Sequence, residues 1–130
     1  MINILIADDL LNNRKMLVDI LKLYGQCDTV SDGLEAINAF EAGLTDGSPY
    51  DLILLDIVMP GVNGQETLKE IRRIERRHQV SKEAIIIMVS AVDSPQNVLK
   101  AFYHGGCNDY IVKPFKKDDL TEKLRTFHLI

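Results

Sequence analysis

The chain has 130 residues, of which 46% are hydrophobic and 26% charged, and its formal net charge at pH 7 is −4. This length and composition predict one globular domain with a single core, and the acidic balance argues against general nucleic-acid binding. The longest nearly continuous apolar run, residues 84–92, is about half as long as a membrane span. Because no secretion signal precedes the first apolar run, we expect a cytoplasmic protein.

Short apolar strands alternate with segments of helical periodicity along the chain. The first predicted strand covers residues 2–7 and stops at two acids, and the helix predicted after it, residues 10–24, has Gly25 as its stop. The alternation recurs four more times, with predicted strands at 27–30, 50–55, 84–89 and 110–112, and with helices that begin after the caps Ser31 and Asp32, cover 63–78, begin at Ser94 and end before Gly105, and cover 116–127.

Five such units with apolar, non-alternating strands predict an α/β fold. Strands of this kind are buried on both faces, as in a doubly wound parallel sheet that is covered by helices on each side. In open sheets of this class, ligands bind outside the carboxyl ends of the strands, where the strand order reverses. The search for a functional site therefore begins at those strand ends.

Polar residues follow four of the five predicted strands. Asp8 and Asp9 follow the first strand, Asp56 the third, Ser90 the fourth and Lys113 the fifth. The second strand is followed only by residues that can cap its helix. Because the carboxyl ends of parallel strands lie at one edge of the sheet, we expect these five side chains to lie close together.

The chemistry of this set predicts phosphoryl transfer. Neighbouring carboxylates repel one another unless a cation is bound, and an all-oxygen ligand set suits a hard divalent ion such as Mg²⁺. Lys113 and the Ser90 hydroxyl are donors suited to phosphoryl oxygens. Asp56, at the end of a rigid strand, would be the nucleophile that forms an acyl phosphate.

Four motifs at these positions together resemble one family. The residues "ADD" at 7–9, "LLDIVMPGVNG" at 54–64, "MVSA" at 88–91 and "YIVKPF" at 110–115 resemble the receiver domain of two-component response regulators, in order and over essentially the whole chain. The resemblance implies a flavodoxin-like five-stranded parallel sheet of order 2-1-3-4-5 with five helices. It also implies a single-domain receiver of the chemotaxis or sporulation type over residues 1–130, with no output domain in this chain, either free-standing or excised from a larger protein.

The resemblance also implies a set of site residues. Asp56 would be the phosphoacceptor, and Asp9, Asp56 and the backbone carbonyl of Val58 would bind Mg²⁺, with Mn²⁺ as a substitute. Asp8 would act on the metal mainly through ordered water. Lys113 would pair with the phosphoryl group, and the Lys113–Pro114 peptide bond would be cis.

A switch and its partners follow from the same resemblance. The Ser90 hydroxyl would turn towards the phosphoryl group and Tyr110 would change rotamer with it. The phosphoryl donor would be a histidine kinase or a histidine phosphotransfer protein, and a target protein or output domain would bind the surface formed by residues 95–127. We expect no direct contact with nucleic acid or membrane. We also expect a phosphoacceptor that assists its own phosphorylation and dephosphorylation, and not an enzyme.

Two valines suggest how long the signal lasts. Val58 and Val92 stand two residues after Asp56 and Ser90, where members of the family often carry polar side chains that influence an attacking water. Neither valine can form a hydrogen bond with that water. We therefore expect a comparatively long-lived phosphoryl group.

Other functions are less well supported by the residues. A phosphatase of the haloacid dehalogenase type would need a second acid where Val58 stands, and a nucleotide- or flavin-binding module would need a glycine-rich phosphate loop, which is missing. A non-phosphorylated interaction module would not need Asp9, Asp56, Ser90 and Lys113 together. The basic segment 72–77 is interrupted by acid and lacks aromatics, which favours a solvated helix face over nucleic-acid binding. Cys27 and Cys107 are expected to be buried or half-buried free thiols.

Overall fold

The structure is a computed structural model that describes residues 1–91 and 94–130. Within these residues, strands and helices alternate as predicted. The strands are Ile2–Ala7 (β1), Gly25–Val30 (β2), Leu52–Leu55 (β3), Ile85–Ser90 (β4) and Asp109–Val112 (β5). The helices are Leu11–Leu21 (α1), Gly33–Thr45 (α2), Gly64–Arg77 (α3), Pro95–Leu99 (α4) and Lys117–Thr126 (α5), and a π-helix, Lys100–Gly105, continues α4.

The five strands form one parallel sheet of order β2-β1-β3-β4-β5, which confirms the predicted fold. The chain passes from β1 to β2 on one side of the sheet and then crosses to β3 on the other side of β1. The strand order therefore reverses between β1 and β3, where the ends Ala7 and Leu55 are paired. This is the position at which doubly wound sheets bind their ligands.

A core covers each face of the sheet. On one face, Leu5 and Ile53 pack with Leu68 and Ile71 of α3 and with Phe40 of α2. On the other face, the alternate strand residues pack against α1 and α5, in a cluster that includes Ile4, Ile6, Leu52, Leu17 and Leu120. Burial on both faces explains why the strand sequences are continuously apolar.

Side-chain caps start three of the helices. Asp32 accepts a hydrogen bond from the Glu35 N–H at the start of α2, and Ser94 accepts one from the Asn97 N–H at the start of α4, as predicted. Gly25, in contrast, does not end the first helix. The α-helical part of α1 ends at Leu21, a turn follows, and Gly25 is the first residue of β2, paired with Ile2. An added Cβ at Gly25 would overlap the Ile2 carbonyl, so packing and not helix termination requires this glycine.

The prediction of a solvated basic face on α3 is wrong at one position, Arg72. Arg72 is buried beside the buried Glu75, with 2.7 Å between Nη1 and Oε1, whereas Arg73, Arg76 and Arg77 are exposed. The loop before β5 covers this part of α3 and supplies acceptors for the Arg72 guanidinium. Helical periodicity places Arg72 on a flank of the apolar face, but it does not reveal that a loop will cover that flank.

The fourth helix also ends differently from the prediction. Gly105 was expected beyond its end, but it is the last residue of the π-helix, and Gly106, with a φ of 80°, is the cap. Cys27 is half-buried and Cys107 buried, both as free thiols, as expected. Among the described residues, no helix has both the length and the apolar composition that crossing a membrane requires.

Candidate functional site

Three carboxylates meet at the carboxyl edge of the sheet. Asp8 follows β1, Asp56 follows β3, and the two strands are neighbours. Asp8 and Asp56 are buried while Asp9 is exposed, and one oxygen from each of the three lies within 4.8 Å of the others. The backbone holds both buried acids in place, because the Asp8 N–H donates to Val30 O at 3.2 Å and the Asp56 N–H donates to Ala7 O at 3.0 Å.

Lys113 reaches this cluster from the end of β5. Its Nζ lies 2.7 Å from Asp8 Oδ2 and 2.9 Å from Asp56 Oδ2. The backbone N–H of Lys113 donates to the Ser90 carbonyl at 2.9 Å. Burial lowers the pKa of the Lys113 ammonium, but the hydrogen bonds and charges of Asp8 and Asp56 outweigh this, so the pKa is raised and the ammonium stays charged. The Lys113–Pro114 bond is cis, as the resemblance implied.

The donor set fits a hard divalent cation. The three carboxylates outnumber the one ammonium that bridges two of them, and every candidate ligand atom is an oxygen. Mg²⁺ uses one or two carboxylates together with waters and phosphate oxygens. Asp9 and the free positions on Asp8 and Asp56 therefore suit Mg²⁺, while Lys113 already neutralises part of the charge of the buried pair.

The two residues expected to form the switch lie on the neighbouring strands. Ser90 is the last residue of β4, next to β3, and is fully buried. Tyr110 is the second residue of β5, opposite Met88, and is half-buried against the core. Asp56, Ser90 and Tyr110 therefore lie on, or directly after, the three neighbouring strands β3, β4 and β5.

Val58 contacts Asp56 and is 60% exposed. Its backbone N–H donates to Asp56 Oδ1 at 3.2 Å, which fixes the orientation of the carboxylate. Val58 is therefore an exposed residue in direct contact with Asp56, and its side chain has no polar atom that could bind a water. The corresponding prediction for Val92 concerns a residue outside the described part of the chain.

Three further residues support the site and were not predicted from the sequence. Arg14 Nη1 donates to the Asp8 carbonyl at 2.8 Å, and Asn13 Nδ2 donates to Asp8 Oδ1 at 3.4 Å. Both stand in the first turns of α1, and polar residues one turn beyond the paired acids are a signal that could have indicated them. Gly64 is a third: an added Cβ would overlap the Asp56 carbonyl oxygen, so the first turn of α3 packs directly on the backbone of Asp56.

Residues 4–125 match the family model of the response regulator receiver domain. The chain belongs to this family. As a receiver domain, it is 36% identical over 126 residues to the chemotaxis protein CheY of Bacillus subtilis, a match that covers 93% of this chain and 92% of that protein. Several other relatives are longer, and the chain spans between 7% and 43% of their lengths.

Solved receiver structures share the fold. The response regulator TrrA of Thermotoga maritima, in complex with Mg²⁺ and beryllium fluoride, is 34% identical with a TM-score of 0.80, and the match covers 100% of both chains. The Ssk1 receiver domain of Saccharomyces cerevisiae, in a co-crystal with the histidine phosphotransfer protein Ypd1, is 29% identical with a TM-score of 0.80, over 94% of this chain and 85% of that chain.

These similarities establish a phosphoacceptor module of two-component or phosphorelay signalling. The haloacid dehalogenase-type phosphatase is not favoured, and neither is the non-phosphorylated interaction module. Partners of the histidine kinase and phosphotransfer class fit the family in general. The acidic cluster fits the Mg²⁺ found in the solved relatives.

Proposed function

We propose that this receiver domain, a single domain over residues 1–130, accepts a phosphoryl group on Asp56 from a phosphohistidine donor. The observation that carries the proposal is the Lys113 ammonium, which contacts both Asp8 and Asp56 at the point where the strand order reverses. A buried carboxylate held between a lysine and further acids suits a nucleophile whose product carries added negative charge.

The transfer itself requires little from the protein beyond placement. The Asp56 carboxylate attacks phosphorus in line with the phosphorus–nitrogen bond of the donor; a phosphorus–oxygen bond forms, and the electron pair of the broken bond leaves with the donor imidazole. Lys113 Nζ lies close enough to Asp56 to pair with the phosphoryl oxygens. Asp8, Asp9, Asp56 and the Val58 carbonyl would hold Mg²⁺, or Mn²⁺ in its place. The bound ion would neutralise charge on the transferred group.

Phosphorylation then changes the charge at the end of β3. The acyl phosphate on Asp56 carries about two negative charges where the carboxylate carried one, and Lys113 and the Ser90 hydroxyl pair with its oxygens. This biases a two-state element that includes Tyr110. The surface formed by residues 95–127 reads out the change to a target protein or output domain. A histidine kinase or phosphotransfer protein is the donor, and the co-crystal of the Ssk1 receiver with Ypd1 supports this class of partner. The module assists its own phosphorylation and dephosphorylation and is not a turnover enzyme.

The test is to incubate the chain with Mg²⁺ and acetyl phosphate and to measure its intact mass. The wild type should gain one phosphoryl group and Asp56→Asn should gain none. Asp46→Asn is the matched control, because Asp46 is an exposed aspartate at the end of α2. Absence of labelling in the wild type, or equal labelling of Asp56→Asn, would overturn the proposal.

A further inference from the structure

Gln65, the second residue of α3, has a side-chain amide whose nitrogen is hydrogen-bonded and whose oxygen, among the described residues, is not. The residue is 3% exposed. Its Nε2 donates to the Asn97 carbonyl in α4 at 2.9 Å, whereas its buried Oε1 accepts a hydrogen bond from none of residues 1–91 and 94–130. Buried polar atoms without partners are uncommon and costly, so a half-bonded amide in the interior calls for an explanation.

The position of Gln65 connects the phosphorylation site with α4. The preceding residue, Gly64, packs on the Asp56 carbonyl with no room for a side chain, and its N–H donates to Ile57 O at 2.8 Å. The backbone around Asp56 therefore contacts the first turn of α3. On the other side, the Gln65–Asn97 bond ties that same turn to the first turn of α4.

The helical segment formed by α4 and the π-helix is held more firmly at its opposite end, which precedes Gly106. Arg72 Nε donates to Gly106 O at 2.9 Å, and Arg72 Nη2 donates to Asn108 Oδ1 at 2.8 Å. Asn108 Oδ1 also accepts from the Ile86 N–H at the same distance, which ties the loop to β4. Charged hydrogen bonds of this kind are about twice as strong as neutral ones. The segment is thus clamped where the π-helix ends.

The π-helix lies between the clamped end and the end held by Gln65. Single π-turns inside α-helices interrupt the regular hydrogen-bond ladder and often mark functional sites. Here the interruption covers Lys100–Gly105, directly after the five residues of α4. The interruption therefore separates the first turn of α4 from the loop that is held at Gly106 and Asn108.

We infer that Gln65 positions α4: the Gln65–Asn97 bond holds α4 in the position of the unphosphorylated chain and breaks when Asp56 is phosphorylated. The inference rests on the proposed function of Asp56. An interaction that exists in only one of two states stabilises that state, so this bond lowers the affinity of the site for a phosphoryl group. The unpartnered Oε1 makes the bonded state only weakly preferred, as a switch requires.

The test replaces Gln65 by methionine, which has a similar length and volume but cannot donate. Gln96→Met is the matched control, because Gln96 is an exposed glutamine of α4. Beryllium fluoride with Mg²⁺, the combination bound by the TrrA structure, serves as the phosphoryl mimic, and its apparent Kd is measured from backbone amide NMR signals. The thermal midpoint of each variant is measured alongside.

Loss of one net hydrogen bond from the unphosphorylated state should lower the apparent Kd of Gln65→Met about two- to tenfold and leave Gln96→Met unchanged. The α4 amide signals of unliganded Gln65→Met should also move towards those of the beryllium fluoride-bound wild type. A purely structural role for Gln65 would change the thermal midpoint without either effect.

An apparent Kd for Gln65→Met within twofold of both wild type and Gln96→Met would overturn the inference while leaving the role of Asp56 intact. If methionine does not fit the site, Gln65→Leu repeats the measurement with a smaller apolar side chain. Failure of the wild type to bind beryllium fluoride and to take a phosphoryl group would instead overturn the proposed function, and the switching role of Gln65 with it.

Discussion

At the scale of single residues, Lys113 is notable because one ammonium pairs with two carboxylates of the site. Its ammonium contacts two acids that follow different strands, and its side chain is only 17% exposed. Pairing of this kind places a fixed positive charge where negative charge must be added, without reorganisation at the moment of transfer. The proposed function therefore gives this residue a role both before and after Asp56 is phosphorylated.

Lys113→Met should slow phosphorylation by acetyl phosphate at least about tenfold, because a donor aimed at developing charge contributes a factor of this order or more. The measurement is the rate of mass gain in Mg²⁺. Lys117→Met, at the exposed first residue of α5, is the control and should react at the wild-type rate. Equal rates for the two variants would show that Lys113 does not assist the transfer.

Val58 is expected to set the lifetime of the phosphoryl group. Its exposed side chain lies beside Asp56 and cannot orient a water, so Val58→Asn should speed hydrolysis of the purified phosphoprotein several-fold. Val92→Asn should act in the same direction. Leu34→Asn is the control, since Leu34 on α2 is 59% exposed, close to the 60% of Val58. Rapid hydrolysis in the wild type that neither valine replacement changes would contradict this prediction.

Tyr50, which is not part of the site, makes a pH-dependent contribution to the stability of the fold. Its hydroxyl donates to Asp28 Oδ2 at 2.6 Å, and burial, this bond and the Asp28 charge all raise the pKa of the phenol. A raised folded-state pKa means that the stabilisation is complete below the unfolded pKa of about 10 and is lost as the pH rises through the folded one.

Tyr50 should therefore contribute a component that ionises above the pH of a free tyrosine to the titration of tyrosine absorbance, and this component should be missing in Tyr50→Phe. Tyr103→Phe is the control, because Tyr103 is 82% exposed. An unchanged high-pH component in Tyr50→Phe would assign it to another residue.

At the scale of elements, local sequence patterns predicted the strands well, but they did not predict side-chain contacts between distant segments. Every strand was found within two residues of its predicted bounds, because short β-branched runs next to caps and glycines identify themselves locally. The site residues at the carboxyl edge of the sheet could be predicted as well, since each stands at the end of a predicted strand. Three features were not predicted: the burial of Arg72, the partner of Gln65 and the π-helix. The first two depend on segments that are distant in sequence.

The buried Arg72–Glu75 pair should be important for stability. Arg72→Met leaves Glu75, which is 2% exposed, as a buried unpaired charge, and should cost about 3–5 kcal/mol of the free energy of unfolding. Glu75→Gln in the same chain should recover part of this cost by removing the charge. Urea denaturation measures both.

The same helix offers a matched exposed pair with the same spacing. Arg73 Nη1 and Glu70 Oε2 are 3.0 Å apart, with exposures of 65% and 32%. Arg73→Met should cost less than about 1 kcal/mol, because exposed ion pairs contribute little. Equal costs for Arg72→Met and Arg73→Met would show that burial of Arg72 is not what makes it important.

At the scale of the whole molecule, we expect the acidic cluster to link metal binding to folding. Only the folded chain brings Asp8, Asp9 and Asp56 within reach of one ion. Mg²⁺ at ten times its Kd should stabilise the fold by about 1.4 kcal/mol, which raises the thermal midpoint by several degrees. Asp9→Asn should reduce this gain, while Asp46→Asn should retain it. A midpoint that is independent of Mg²⁺ would exclude the cluster as a metal site.

The contacts of Lys113 also have a consequence for how the chain acquires its function. The lysine is 105 residues from Asp8 and 57 from Asp56, so the three groups meet only after β1, β3 and β5 have joined one sheet. Contacts between such distant segments form only after large loops have closed. A nascent or partly folded chain therefore has no assembled site, and competence to signal is acquired only with the completed fold.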